Sequence, residues 1–247
     1  MAQIVSKSDQ LAHKYRLFVR IFWCLAGASA LSMALWLIFL INWDRPGLGL
    51  LLLGPLVFCA FALLAKLTYD KMHILAAGIK GESATNAVLK QLDDEYWLFS
   101  NLTVTYKNRT SELDHVIVGP GGLFVLESKH MAGKITGAYD DKKWLREKQS
   151  KAGVLYSQRI YSPRKQVGTH VYRLANVLRS NGFSTEVTGA VYFSNPQTQI
   201  FLQDMPKDAP LFFGQKGADA MLSFFRKGPQ PLTPEQVYHL AQFLCEL

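Results

Sequence analysis

The sequence predicts an α/β protein, a mixed β-sheet flanked by helices and preceded by a two-helix transmembrane hairpin. Three observations carry this expectation. Residues 18–41 and 48–67 are apolar runs, each about the ~20 residues a helix needs to cross a bilayer. Residues 111–129 hold two β-branched and aromatic runs on either side of a Gly-Pro-Gly-Gly break, the pattern of a hairpin. Beyond the apolar runs, roughly 175 residues remain, enough for one domain with its own core.

The elements follow in order. Residues 1–17 form an N-terminal tail carrying Lys7, His13, Lys14 and Arg16, and Arg20 lies at the start of the first span. The loop Asn42-Trp43-Asp44-Arg45-Pro46-Gly47 carries only Arg45 against Asp44, whereas Lys66, Lys71 and Lys80 follow the second span. The positive-inside rule then places both termini in the cytoplasm, as a multi-pass protein of the inner or plasma membrane in a bacterium. Trp43 suits the opposite interface. A signal peptide fits less well, because its apolar core is shorter and a second span follows. Two buried helices of a soluble domain are the alternative. Residues 70–79 continue the second span toward the domain, 84–92 show helical spacing and 96–106 read as a strand. After the hairpin, 133–144 read as a further strand. Residues 164–179 form a helix stopped by Asn181-Gly182, and 187–193 form a strand. The Pro-containing stretch 196–210 is irregular, 211–213 a short strand, and 218–225 and 234–244 helices, the last capped by Thr233 ahead of Pro234. The expected organisation is thus spans at 18–41 and 48–67, a domain over 72–195, and a C-terminal helical extension over 196–247.

The most informative residues are Asp114, Glu127 and Lys129. Side chains two apart in a strand share a face, so Glu127 and Lys129 point the same way while Ser128 offers that face only its backbone. Asp114, on the partner strand, reaches the same side. Two carboxylates held close repel one another, and protonation or a cation relieves the repulsion. Mg²⁺ or Mn²⁺ suits such oxygen ligands and keeps waters, one of which can become a nucleophile. The lysine can orient that water or offset charge on a scissile phosphate. The alternative is a solvated Glu-Lys pair at a strand end, worth little; the apolar run 123–126 argues against it, since a buried unpaired charge is costly. His115 and His130 read as packing or capping residues, and Trp144 as a core or rim aromatic.

Residues 78–195 resemble the nuclease-related domain, NERD, which is similar to the PD-(D/E)XK nuclease superfamily. The resemblance rests on Gly81-Glu82 opening a helix, Ser111-Glu112-Leu113-Asp114-His115, the Gly119-Pro120 turn, Phe124-Val125-Leu126-Glu127-Ser128-Lys129, Gly133, Trp144 and Pro163-Arg164-Lys165-Gln166. It implies that Asp114 and Glu127 bind the metal, that Lys129 assists catalysis, that Glu82 completes the acidic set, and that Gln166 is the polar helix residue of the site. Ser128 departs from the family, which more often has Thr or an apolar residue there. On the residues alone, Glu82 complements a helix N-terminus equally well, and Gln166 is an ordinary surface residue.

Formal charge is +8 over the chain, but from Asp70 onward 21 Lys and Arg face 17 Asp and Glu. The excess is local. Lys142, Lys143, Arg146, Lys148, Lys151, Arg159, Arg164, Lys165 and Arg173 share one stretch with Glu147 as its only acid, interleaved with Tyr156, Tyr161 and Tyr172. Such a stretch suits nucleic acid, DNA foremost, by neutralising phosphates and stacking on bases; an anionic membrane surface or plain solvation are the alternatives. Three cysteines give no disulfide framework and no zinc spacing. No phosphate-binding loop, dinucleotide fingerprint, HExxH helix or nucleophile elbow occurs, and Gly119-Pro120-Gly121-Gly122 joins two strands and opens no helix. The sequence therefore predicts a membrane-anchored, metal-dependent nuclease. A non-catalytic binding module tethered at the membrane is the rival, and homo-oligomers through the small residues 27–30 are a third possibility.

Overall fold

A computed structural model of the chain describes residues 2–6, 10–43, 47–149 and 153–247; Lys7, Asp44, Arg45, Pro46 and Lys151, which entered the expectations above, lie outside them. The chain divides into two compact units, residues 10–79 and residues 1–9 with 80–247.

The first unit is a pair of long helices, α1 (Gln10–Asn42) and α2 (Leu48–Leu89), the second running on into the other unit. Both exceed the spans 18–41 and 48–67, because no proline interrupts 10–17 or 68–89 and nothing stops propagation. Within the unit the helices run antiparallel: Phe22 meets Tyr69, Ser29 donates to the Phe58 carbonyl, and Trp36 donates to the Leu50 carbonyl. Gly54 makes this crossing possible, since any Cβ there would strike the Trp36 ring. Both helices are long and apolar enough to cross a membrane, and their spans leave nearly all residues unburied, including Leu35, Ile38, Leu52 and Leu56.

In the second unit a six-stranded mixed sheet has the order β1-β2-β3-β4-β8-β10. Its strands are β1 (Gln3–Ser6), β2 (Trp97–Tyr106), β3 (Arg109–Gly119), β4 (Gly122–Lys129), β8 (Val187–Phe193) and β10 (Leu211–Phe212). A second sheet, of order β7-β6-β5-β9, comprises β5 (Gly133–Ala138), β6 (Lys143–Gln149), β7 (Leu155–Tyr161) and β9 (Thr198–Gln203). Helices α3 (Pro163–Ser180), α4 (Gly217–Lys227) and α5 (Pro234–Glu246) complete the unit.

Four placements differ from the sequence expectation. The tail contributes β1, which pairs in parallel with β2, Gln3 opposite Trp97. The segment 133–144 is two strands joined by a turn in which Asp141 accepts from the Ala138 amide. The basic stretch 143–161 is a hairpin of β6 and β7, and the stretch 196–210 contains β9, paired in parallel with β5.

The main sheet is packed on both sides. β4 is central, antiparallel to β3 and parallel to β8, so its apolar run is buried on both faces, as parallel strands require. One face presents Phe99, Val116, Val125 and Val191 to Leu174 and Leu178 of α3 and Leu240 of α5; the other presents Leu98, Ile117, Phe124 and Leu126 to Leu89 of α2 and to Met221 and Phe225 of α4. The Gly-Pro-Gly-Gly turn sits against the last turn of α4, where a Cβ at Gly121 would collide with the Phe225 carbonyl. That close approach, rather than phosphate binding, accounts for the glycine. Trp144 is fully buried and donates to the Ala138 carbonyl at 3.0 Å, so it is a core residue.

Helix α5 opens with a full capping box: the Gln236 amide donates to Thr233 Oγ1 at 3.3 Å, and the Thr233 amide donates to Gln236 Oε1 at 2.9 Å. Thr233→Ala is expected to lower stability by about 1 kcal/mol without altering any activity, as read by chemical denaturation.

Candidate active site

Strands β3 and β4 set the site. Their ladder pairs His115 with Leu126, and one further step places Asp114 opposite Glu127, where cross-strand side chains lie about 5 Å apart. Both belong to the face that packs on α3. The Ser128 amide donates to Asp114 Oδ2 at 2.9 Å, while the Ser128 hydroxyl meets Thr85 Oγ1 of α2 at 2.7 Å on the opposite face. Ser128 thus gives the carboxylates its backbone alone and ties β4 to α2 with its side chain.

Glu127 is buried, 1% exposed. Its Oε1 lies 2.5 Å from Lys129 Nζ and its Oε2 lies 3.4 Å from His170 Nε2 of α3. Neither approach has the alignment of a directed hydrogen bond, and both oxygens are left without one. Burial pushes the Glu127 carboxyl up, but His170 and Lys129 outweigh it and hold the group below the usual carboxylate range. Asp114 goes the other way. Burial, then the Glu127 charge, raise it from 3.8 to about 7 against the opposing Ser128 amide and Lys129. Two neighbouring carboxyls with opposite shifts are what one shared negative site produces.

Glu82, on α2, contributes to the field that raises Asp114; its own carboxyl is raised by burial and by Glu112, against a hydrogen bond from Asn101. Asn101 lies in β2 between residues paired with His115 and Leu113, at the position facing Asp114. Its φ of 56° is the left-handed conformation, which Asn tolerates. This local break in β2 turns a polar side chain toward Glu82. Gln166 sits one turn before His170 on α3, half-buried, and among the described residues its side chain makes no hydrogen bond to the carboxylates or to Lys129.

Sequence reasoning missed His170 and Asn101. His170 had a signal, a lone imidazole in the buried stripe Pro163, Val167, Leu174, Val177, Leu178. Asn101 had none, since a left-handed residue inside a strand leaves no periodicity. His115 is fully buried, 3.5 Å from Ser100 Oγ through Nδ1, and desolvation lowers it to about 4 despite the Glu127 charge. It packs as a neutral ring. His130 shares a hydrogen bond with Ser194 Oγ at 3.0 Å.

No three His, Cys, Asp or Glu side chains among the described residues converge as a closed metal cage. The donor chemistry nevertheless suits an oxygen-seeking divalent ion: two adjacent carboxylates, one with both buried oxygens lacking hydrogen bonds and the other raised by burial and then by its neighbour's charge. A cleft of about 530 Å³ beside α3, lined by Tyr139, Arg164, Lys165 and Tyr172, includes none of these groups.

The basic residues are dispersed. Arg164 and Lys165 contact Asp140 at 2.7 and 3.7 Å, Arg146 donates to the Ala132 carbonyl, and Arg173 donates to Thr110 and Ser111. The side chains of Lys142, Lys143, Lys148 and Arg159 make no such contact among the described residues. Alternation then separates Lys143 and Arg159 from Arg146 and Lys148 across the two faces of the second sheet.

An uncharacterized protein of Bacillus anthracis is 33% identical over 69 residues, covering 27% of this chain and 32% of that protein. The chain thus spans about a third of that relative's length. No solved structure matches the chain. Residues 77–194 match the family model of the nuclease-related domain. The segment that carries the paired carboxylates and the lysine on adjacent strands of a mixed sheet is thus the one matched by the nuclease-related domain, a family of the PD-(D/E)XK-like nuclease superfamily.

Proposed function

We propose that the protein is a membrane-anchored, cytoplasm-facing nuclease that hydrolyses nucleic-acid phosphodiester bonds with Mg²⁺ or Mn²⁺. The observation that carries this is the convergence of Asp114, Glu127 and Lys129 at the end of the β3–β4 ladder, with Asp114 pinned by the Ser128 amide. Asp114 and Glu127 would hold the ion, with Glu82 behind Asp114. Bound there, the ion would activate a water and offset charge on the phosphate. Lys129, with 26% of its side chain exposed, spans from buried Glu127 to solvent, where its ammonium can orient the water or meet a phosphate oxygen. His170 fixes Glu127 from the other side, and Gln166 supports the same helix face.

Anchoring is supported by the two apolar helices and by the cations Lys14, Arg16 and Arg20 in the N-terminal turns of α1 and Lys66, Lys71 and Lys80 from the middle of α2 onward. The parallel pairing of β1 with β2 supports an even number of crossings, since segments on both sides of the helices enter one sheet. Of the small residues 27–30 considered for homo-oligomers, Ser29 is buried and donates within its own helix pair.

The rival, a binding module without turnover, is favoured by one feature: the Lys129 ammonium and the His170 ring already flank Glu127, one at each oxygen. Incubation of the full chain in detergent with DNA and RNA in Mg²⁺, Mn²⁺ or EDTA separates the two. Cutting that needs metal, and that Asp114→Asn abolishes, is the expected result. Salt-sensitive retention of nucleic acid with no cutting under any metal would sink the catalytic reading and leave the binding module.

A further inference from the structure

The second sheet has one face in the core and one in solvent. Trp144, Ile135, Ile200 and Ile160 point inward. On the outer face the registers build continuous rows across the four strands: Arg159, Leu145, Thr136 and Phe201 in one, and Tyr161 beside Lys143 in the next. Phe201 is 57%, Tyr161 46% and Leu145 36% exposed. Three strand spacings put Arg159 and Phe201 roughly 14 Å apart. The strand charges on this face are Lys143, Arg159 and Lys134 against Glu147, which lies 4.0 Å from Lys134. Lys134 Nζ also lies 5.5 Å from the centre of the Phe201 ring. Lys143 and Arg159 open onto a cleft of about 470 Å³ on the same sheet, which Lys142 and Asp141 line beside them.

Exposed rings flanked by an excess of cations are the two requirements for holding an unpaired strand, whose bases have free π-faces and whose backbone is anionic. Duplex bases are stacked on one another and cannot use the rings. The sheet is also joined to the carboxylates by the shortest of connections. Residues 130–132 alone separate Lys129 from β5, and 194–197 alone separate Phe193, the register partner of Lys129, from β9. Three residues span at most about 11 Å.

We infer that the outer face of the second sheet is a binding platform for single-stranded nucleic acid, which leads an unpaired strand to Asp114 and Glu127. As the source of the site's substrate class, this rests on the nuclease reading; as a binding surface, it does not.

The test is fluorescence anisotropy of the full chain in detergent, in EDTA, with labelled 24-nucleotide single strands of DNA and RNA and the matching duplex. Wild type should bind single strands more tightly than duplex. Tyr161→Thr with Phe201→Thr should weaken single-strand binding about tenfold or more, leaving duplex binding unchanged. Tyr161→Phe with Phe201→Tyr, which keeps both rings, should restore it. In Mg²⁺ the ring-less variant should show a raised KM for single strands with kcat retained at saturation. Equal wild-type affinity for duplex and single strand would overturn the platform. So would a ring-less variant that binds normally, or one that loses association with phosphatidylserine micelles but not with oligonucleotides. If wild type never cuts yet ring-dependent single-strand binding is seen, the platform stands and the nuclease reading falls.

Discussion

Asp114→Asn is expected to abolish metal-dependent cutting, by at least about 1,000-fold, while making the apo fold more stable at neutral pH. The two effects have one cause. Burial and the Glu127 charge raise the Asp114 carboxyl from 3.8 to about 7, so the folded chain holds a proton there that the unfolded chain releases near pH 4. Stability therefore falls as pH rises from about 4 to about 7 and is level above. With partial exposure allowed for, ionised Asp114 costs roughly 2–4 kcal/mol at pH 8. Asparagine keeps an oxygen for the Ser128 amide and carries no charge. In EDTA its unfolding midpoint should exceed wild type at pH 8 and coincide with it near pH 4. A variant no more stable than wild type at pH 8 would contradict this account of the site.

Glu127→Ala should also abolish cutting, but with the opposite sign on stability. Glu127 is buried between Lys129 and His170, and its carboxyl is held below the usual value of 4.5. Its contribution is fully present above pH 4.5 and is lost as pH falls through its lower folded value. Severing a buried pair typically costs about 3–5 kcal/mol; the low end, about 3 kcal/mol, is expected here, because Lys129 is partly exposed and can turn to solvent. Without the Glu127 charge, Asp114 loses the second of the two causes that raise it, while burial, the larger, remains. The two variants are then non-additive: Asp114→Asn should stabilise the Glu127→Ala background less than it stabilises wild type. Additive denaturation midpoints would show that the carboxylates do not share a site.

What was legible in the sequence was whatever rests on local period or local chemistry. The β3–β4 hairpin declared itself through its apolar runs and its Gly-Pro-Gly-Gly turn, α3 through its Asn181-Gly182 stop, and α5 through Thr233 ahead of Pro234. The spacing of Glu127 and Lys129 gave their shared face because a strand has a period of two. What was not legible depended on distant partners. β9, between Pro196 and Pro206, is a strand because β5 lies beside it, and its sequence, Thr-Gln-Ile-Phe-Leu-Gln, is too short and polar to announce itself. β6 and β7 interleave charge with aromatics, so composition pointed to a basic patch, while the alternation of buried Trp144 and exposed Lys143 and Leu145 was the better signal. His170 reaches Glu127 only because α3 packs on that face of the sheet.

β1 bears on how the protein is made. It is synthesised before both apolar helices, yet its partner β2 follows more than 90 residues later, after them. The sheet cannot close until the whole helical pair has been synthesised, so its edge is finished by a contact of long loop closure, slow and entropically unfavourable to make early. Until then the β2 edge is open, with unpaired amides and carbonyls that another chain can capture. Completion of the sheet thus waits on synthesis of the helical pair, and a chain that cannot bring β1 back to β2 carries an unfinished, aggregation-prone edge.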